Sequence, residues 1–131
     1  MLRFIAATAL FLVALPSNTQ TVSAPMQTEG LTNGRSWVTL SSDSKTMYVA
    51  GAVDSTIMAC GKDEWKKLFA SSLSVGEVSK SLNKFYEEPT NAAVPITYAM
   101  TVVKMKAEGA SADSIENATA TLRRLAAEAT K

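Results

Sequence analysis

The chain has 131 residues, with 13 Lys and Arg against 12 Asp and Glu and no His. Charges of both signs are interleaved along it, without the basic footprint that a phosphate backbone demands, so nucleic acid is not an expected partner. The lack of histidine removes the commonest general base and the usual zinc ligand, and a lone Cys60 excludes an internal disulfide.

At the N-terminus, Met1-Leu2-Arg3 leads into the apolar run Phe4 to Leu15, then Pro16 and a stretch rich in Ser, Asn, Thr and Gln. A positive start, a short apolar core and a small-residue exit predict a secretory signal peptide over 1–24, cleaved after Ala24 or alternatively after Ser23. About a dozen apolar residues fall short of the roughly 20 that a membrane-spanning helix needs, so no stable membrane insertion is expected after cleavage. A buried first helix is the alternative. The mature chain is expected to be exported, to the periplasm or the extracellular space. Residues 25–32 are polar and aperiodic and read as a flexible leader, with 33–131 as one helical domain.

Asn33-Gly34-Arg35 opens a short helix through Trp37 to Leu40, interrupted by Ser41 and Ser42. Ser42 or Asp43 is the expected N-cap of the second helix, since a side-chain oxygen there accepts from unpaired backbone amides. That helix runs to Cys60 and stops at Gly61. Cys60, late in an apolar helix, is expected to be buried, with a bond to another chain as the alternative. Asp63 to Phe69 forms a third, short helix with acids first and bases last, as the helix dipole favours.

Ser74-Val75-Gly76-Glu77 is a capping box. Val75, Val78, Leu82 and Phe85 follow at helical spacing as an inner stripe, until Pro89 pushes the preceding residue out of the helix. Pro95 suits the first position of the next helix, which continues to Glu108 and closes on Gly109. Only Thr97, Thr101, Lys104 and Glu108 form its polar stripe; an otherwise apolar girth implies packing on several sides. The last helix begins near Ser111, with Ile115, Ala118, Leu122, Leu125 and Ala126 inward and Arg123, Arg124 and Glu128 towards water. No segment alternates like a strand or carries a hairpin turn between β-branched runs. The expected fold is all-α, a small single-domain bundle of about five to six helices by periodicity, with the second and fifth at its centre.

The run Tyr48-Val49-Ala50-Gly51-Ala52-Val53-Asp54 poses a question of its own. Glycine weakens a helix interior by about 1 kcal/mol relative to alanine. With Ala50 and Ala52 beside it, Gly51 predicts a close crossing with the fifth helix at Ala99. Asp54 lies on the same side. A buried, unpaired carboxylate costs several kcal/mol, so Asp54 is expected to face solvent or to pair with Arg35 or Lys104. The sharper reading makes it a polar contact that a partner completes.

That phrase, on the first long helix of a small exported helical protein, resembles the Tai-type immunity proteins. The resemblance implies a periplasmic protein that neutralises peptidoglycan amidase effectors of type VI secretion, with a fold likened to the acid-stress chaperone HdeA. The family pattern includes paired cysteines, from which the lone Cys60 departs. Asn33-Gly34-Arg35-Ser36-Trp37, Phe85-Tyr86-Glu87-Glu88-Pro89-Thr90-Asn91 and Pro95-Ile96 are also similar to segments of small uncharacterised exported bacterial proteins, a resemblance that implies no activity.

Two further clusters are candidate contact sites. Glu87 and Glu88 are adjacent, hence roughly 100° apart on a helix, and do not face one substrate as an acid–base pair. Tyr86 and Asn91 at the same helix end are expected to present polar tips to a partner. Trp37 is either core or the cover of a groove, with Arg35 available to a partner's carboxylate. Met47, Met58, Met100 and Met105 read as core gap-fillers; a chaperone-like role would need them exposed in a patch. There is no glycine-rich phosphate loop or EF-hand pattern. The expectation is a non-catalytic protein-binding protein with no cofactor or metal, contacting its partner through Asp54, Tyr86, Asn91, Arg35 and Trp37. A chaperone-like or structural envelope factor is the alternative.

Overall fold

The computed structural model describes residues 24–130; the segment read as a signal peptide lies outside them apart from Ala24. The elements are β1 (Gln27–Thr28), β2 (Leu31–Thr32), α1 (Gly34–Thr39), α2 (Ser42–Cys60), α3 (Lys62–Leu68), α4 (Val75–Tyr86), a 3₁₀ turn (Pro89–Asn91), α5 (Ile96–Ala107) and α6 (Ala112–Glu128). Among the described residues six helices carry the fold, so the all-α class read from periodicity is the observed one.

The stretch expected to be a flexible leader is a hairpin instead. Gln27 pairs with Thr32 and Thr28 with Leu31. Glu29 and Gly30 turn between them with φ of 53° and 78°, the positive pair that matches strand twist in a two-residue hairpin loop. The Thr28 hydroxyl donates to the Ala93 carbonyl at 2.7 Å, which ties the hairpin to the loop before α5. Asn33 completes the attachment: its Nδ2 donates to Pro25 O and Thr28 Oγ1, each at 3.1 Å, and its Oδ1 caps α1 by accepting from Arg35 N. Strands this short leave no alternation to detect, and Glu-Gly is not one of the dipeptides that announce such a turn.

Local capping sets most helix boundaries. Ser41, not Ser42 or Asp43, caps α2 by accepting from Ser44 N. Ser74 and Glu77 form the reciprocal capping box of α4, and Ser111 caps α6. Pro95 stands just before the first helical residue of α5 rather than within it.

The core centres on α4 and α5, not on α2 and α5. Helix α4 packs against α1, α2 and α5, and α5 also meets α3 and α6. Trp37, Leu82, Val94, Ile96 and Met100 are fully enclosed. The Trp37 indole N–H donates to Asn83 Oδ1 at 2.9 Å, and its ring meets Tyr48 edge-on. Arg123, expected to face water, turns in and donates from Nε to Asn91 Oδ1 at 2.8 Å, joining α6 to the 3₁₀ turn. Leu125, expected inside, is exposed.

Helix α2 is the outlier. Its apolar residues surround the axis, and Val49 alone is fully buried. Tyr48, Ala52 and Val53 pack partly on the core, while Met47, Gly51 and Met58 remain outside. Cys60, expected to be buried, is exposed, as are Met58 and Ala59 beside it at the end of α2.

Candidate functional site

Of the residues expected to meet a partner, Trp37 and Tyr86 come together with ring centroids 6.4 Å apart, but in the interior, while Asp54 stands apart on the surface of α2. Trp37 has none of its surface exposed and its one donor is satisfied inside. Tyr86 is buried, and its hydroxyl donates to the Val94 carbonyl at 3.0 Å. Burial, with a smaller contribution from nearby Tyr48, pushes that phenol far above the ordinary tyrosine range. Asn91 is also buried; besides accepting from Arg123 it donates from Nδ2 to the Phe85 carbonyl at 2.6 Å. The polar tips of Tyr86 and Asn91 thus close nearby backbone groups, and Asn91 also lines an open depression of about 250 Å³ with Lys84, Glu88, Glu116 and Arg123. Arg35 reaches back to the Pro25 carbonyl at 3.1 Å. Glu88 folds over the 3₁₀ turn and accepts from the Thr90 hydroxyl at 3.0 Å.

Asp54 does face water, and among the described residues it makes no hydrogen bond or ion pair. The expected pairing with Lys104 is not formed; Lys104 bonds Glu108, the C-cap of α5, instead. Asp54 shares the outward side of α2 with Met47, Gly51, Ser55 and Met58, which recur at helical spacing. Met47 is 70% exposed and Met58 88%. They are therefore not the core gap-fillers expected of them, whereas Met100 is.

Gly51 answers differently from expectation too. A Cβ built there would meet nothing within 4 Å, so no helix crosses at this point and Ala99 is not its partner. Instead Gly51 lies in an open groove of about 510 Å³ between α2 and the start of α5, lined by Met47, Tyr48, Ser55, Phe69 and Thr97. Met47, Ala52 and Phe69 make its apolar part, with Tyr48, Ser55 and Thr97 beside them, an arrangement suited to seating apolar side chains of another molecule.

Met47, Ser55, Phe69 and Thr97 were not singled out by sequence reasoning as a site. The available signal was the even spread of apolar residues around α2, more than one contact face can cover. The described residues contain no group of three His, Cys, Asp or Glu placed to hold a metal, and no helix long and apolar enough to cross a membrane. No family model, no curated protein and no solved structure matches this chain.

Proposed function

We propose that this chain is a non-catalytic protein-binding protein of the cell envelope, of immunity or inhibitor type, and that its partner docks on the outward side of α2. The observation that carries the reading is the open groove at Gly51, flanked by the exposed methionines 47 and 58. Methionine is flexible and polarizable, and exposed methionines are used where a surface must adapt to a partner. Asp54, one turn from Gly51, supplies a charge that fixes orientation more than affinity. The resemblance of Tyr48 to Asp54 to the Tai-type phrase falls on this same helix.

A photo-crosslinking residue placed at Ser55 in the producing cell tests the proposal, with the same residue at exposed Glu128 of α6 as control. The expected result is one defined adduct from position 55 and none from 128. The adduct should disappear in a Met47→Asp, Gly51→Leu variant whose thermal stability is retained. Equal labelling from both positions, or persistence of the adduct in the variant, would refute it. The exposure of Met47 and Met58 also favours a second, chaperone-like reading. That reading requires many diffuse adducts from position 55 and suppressed aggregation of unrelated unfolded clients.

A further inference from the structure

A second space lies on the far side of Phe69 and is independent of the groove reading. This cavity, of about 190 Å³, lies between α2, α3 and α4 and opens on one side, with Val49, Val53, Trp65, Phe69, Leu73 and Val78 in its wall. Protein interiors pack as densely as organic crystals and hold few voids larger than a water molecule. A space of this size in so small a core calls for an occupant.

Water is a poor one. A buried water needs roughly two to four polar partners. The wall has two side chains with a polar atom, Trp65 and Ser74, and the Ser74 hydroxyl is committed to the capping box: Oγ donates to Glu77 Oε2 at 2.7 Å and accepts from Glu77 N at 3.3 Å. Apolar voids of about 150 Å³ stay dry and take up benzene-sized guests. Val53, Trp65, Leu73 and Val75 are only half-buried, so this side of the wall reaches solvent and provides an entrance.

We propose that the cavity is a binding site for a small apolar molecule without a charged or strongly hydrogen-bonding group, of the size of one aromatic ring or a short alkyl chain. One indole N–H, that of Trp65, would not compensate the desolvation of an ionised or amide-bearing ligand.

Toluene titrated into the purified chain tests this, read by methyl NMR and by the thermal midpoint. Saturable shifts at the methyl groups of Val53, Leu73 and Val78, with a rising midpoint, are expected. Ala70 also lines the wall; Ala70→Leu and Val53→Phe each fill the cavity and should weaken toluene binding at least tenfold, while Gly51→Leu in the groove should leave it unchanged. Absence of saturable shifts, shifts centred elsewhere, or affinity that survives both filling variants would overturn the proposal. Should either filling variant fail to fold, the map of shifted methyls in the parent chain still decides.

Discussion

Gly34 sits so close to the Tyr86 ring that a Cβ at position 34 would overlap Cδ1 and Cε1 of that ring and press on the Ala92 carbonyl at 3.1 Å. The ring has no room to retreat, because its hydroxyl is tied to Val94 O. Alanine is ordinarily the better helix former, yet here Gly34→Ala should cost about 1–3 kcal/mol, the usual range for overpacking. Urea denaturation measures it; a stabilised variant would contradict the contact.

Tyr86 also makes stability depend on alkaline pH. Burial raises its folded-state phenol above the ordinary value, which in an unfolded chain is about 10. The neutral phenol's contribution is therefore complete below about pH 10 and is lost as pH rises beyond that, when the unfolded state alone ionises. Tyr86→Phe should cost about 1–3 kcal/mol at neutral pH by leaving the Val94 carbonyl short of a donor. The gap between parent and variant should narrow above pH 10, which denaturation curves across that range would reveal.

Ser79 is the opposite case. Its hydroxyl is buried on α4 and has no hydrogen-bond partner among the described residues. Ser79→Ala removes a desolvated polar group and improves helix propensity, so a gain of about 1 kcal/mol is expected in chemical denaturation.

Gly51→Ala should likewise stabilise, by about 1 kcal/mol, because a methyl there enters open groove and stiffens the helix. Loss of stability would mean that something passes close to Gly51 after all. Retained stability with weaker adduct formation from position 55 would locate the partner at this point.

Glu77 gives an acid-side prediction. Its carboxylate accepts from the backbone N–H and then the hydroxyl of Ser74, which hold it below the ordinary carboxylate range, helped slightly by Lys80. A lowered folded value contributes stability above the unfolded value of about 4.5 and loses it as pH falls through the folded one. Glu77→Gln should flatten that part of the acid profile, and side-chain NMR titration should place the Glu77 midpoint below the ordinary carboxylate range.

Much of the helical layout was legible because helix starts are local. Ser74 with Glu77, Ser111 with Ser114, and Asn33 with Arg35 each join residues no more than three apart. The hairpin was missed because its strands are too short to carry a period, and what holds it is Ala93, far along the chain. The groove was missed for a related reason. The apolar character of α2 was plain, but which of its sides would remain uncovered depends on where α4 and α5 lie. Tyr86 and Asn91 look like surface residues by type, and became interior ones because unpaired carbonyls of Val94 and Phe85 needed donors.

Residue order alone dictated helical segments, their caps and stops, and a side-chain set without histidine, since these depend on neighbours within a turn or two. Only the assembled bundle decided that Met47, Gly51 and Met58 face outward while Trp37 and Tyr86 face in. Burial is set by partners tens of residues away, and a helix apolar on every side carries no mark of the side its neighbours will leave bare.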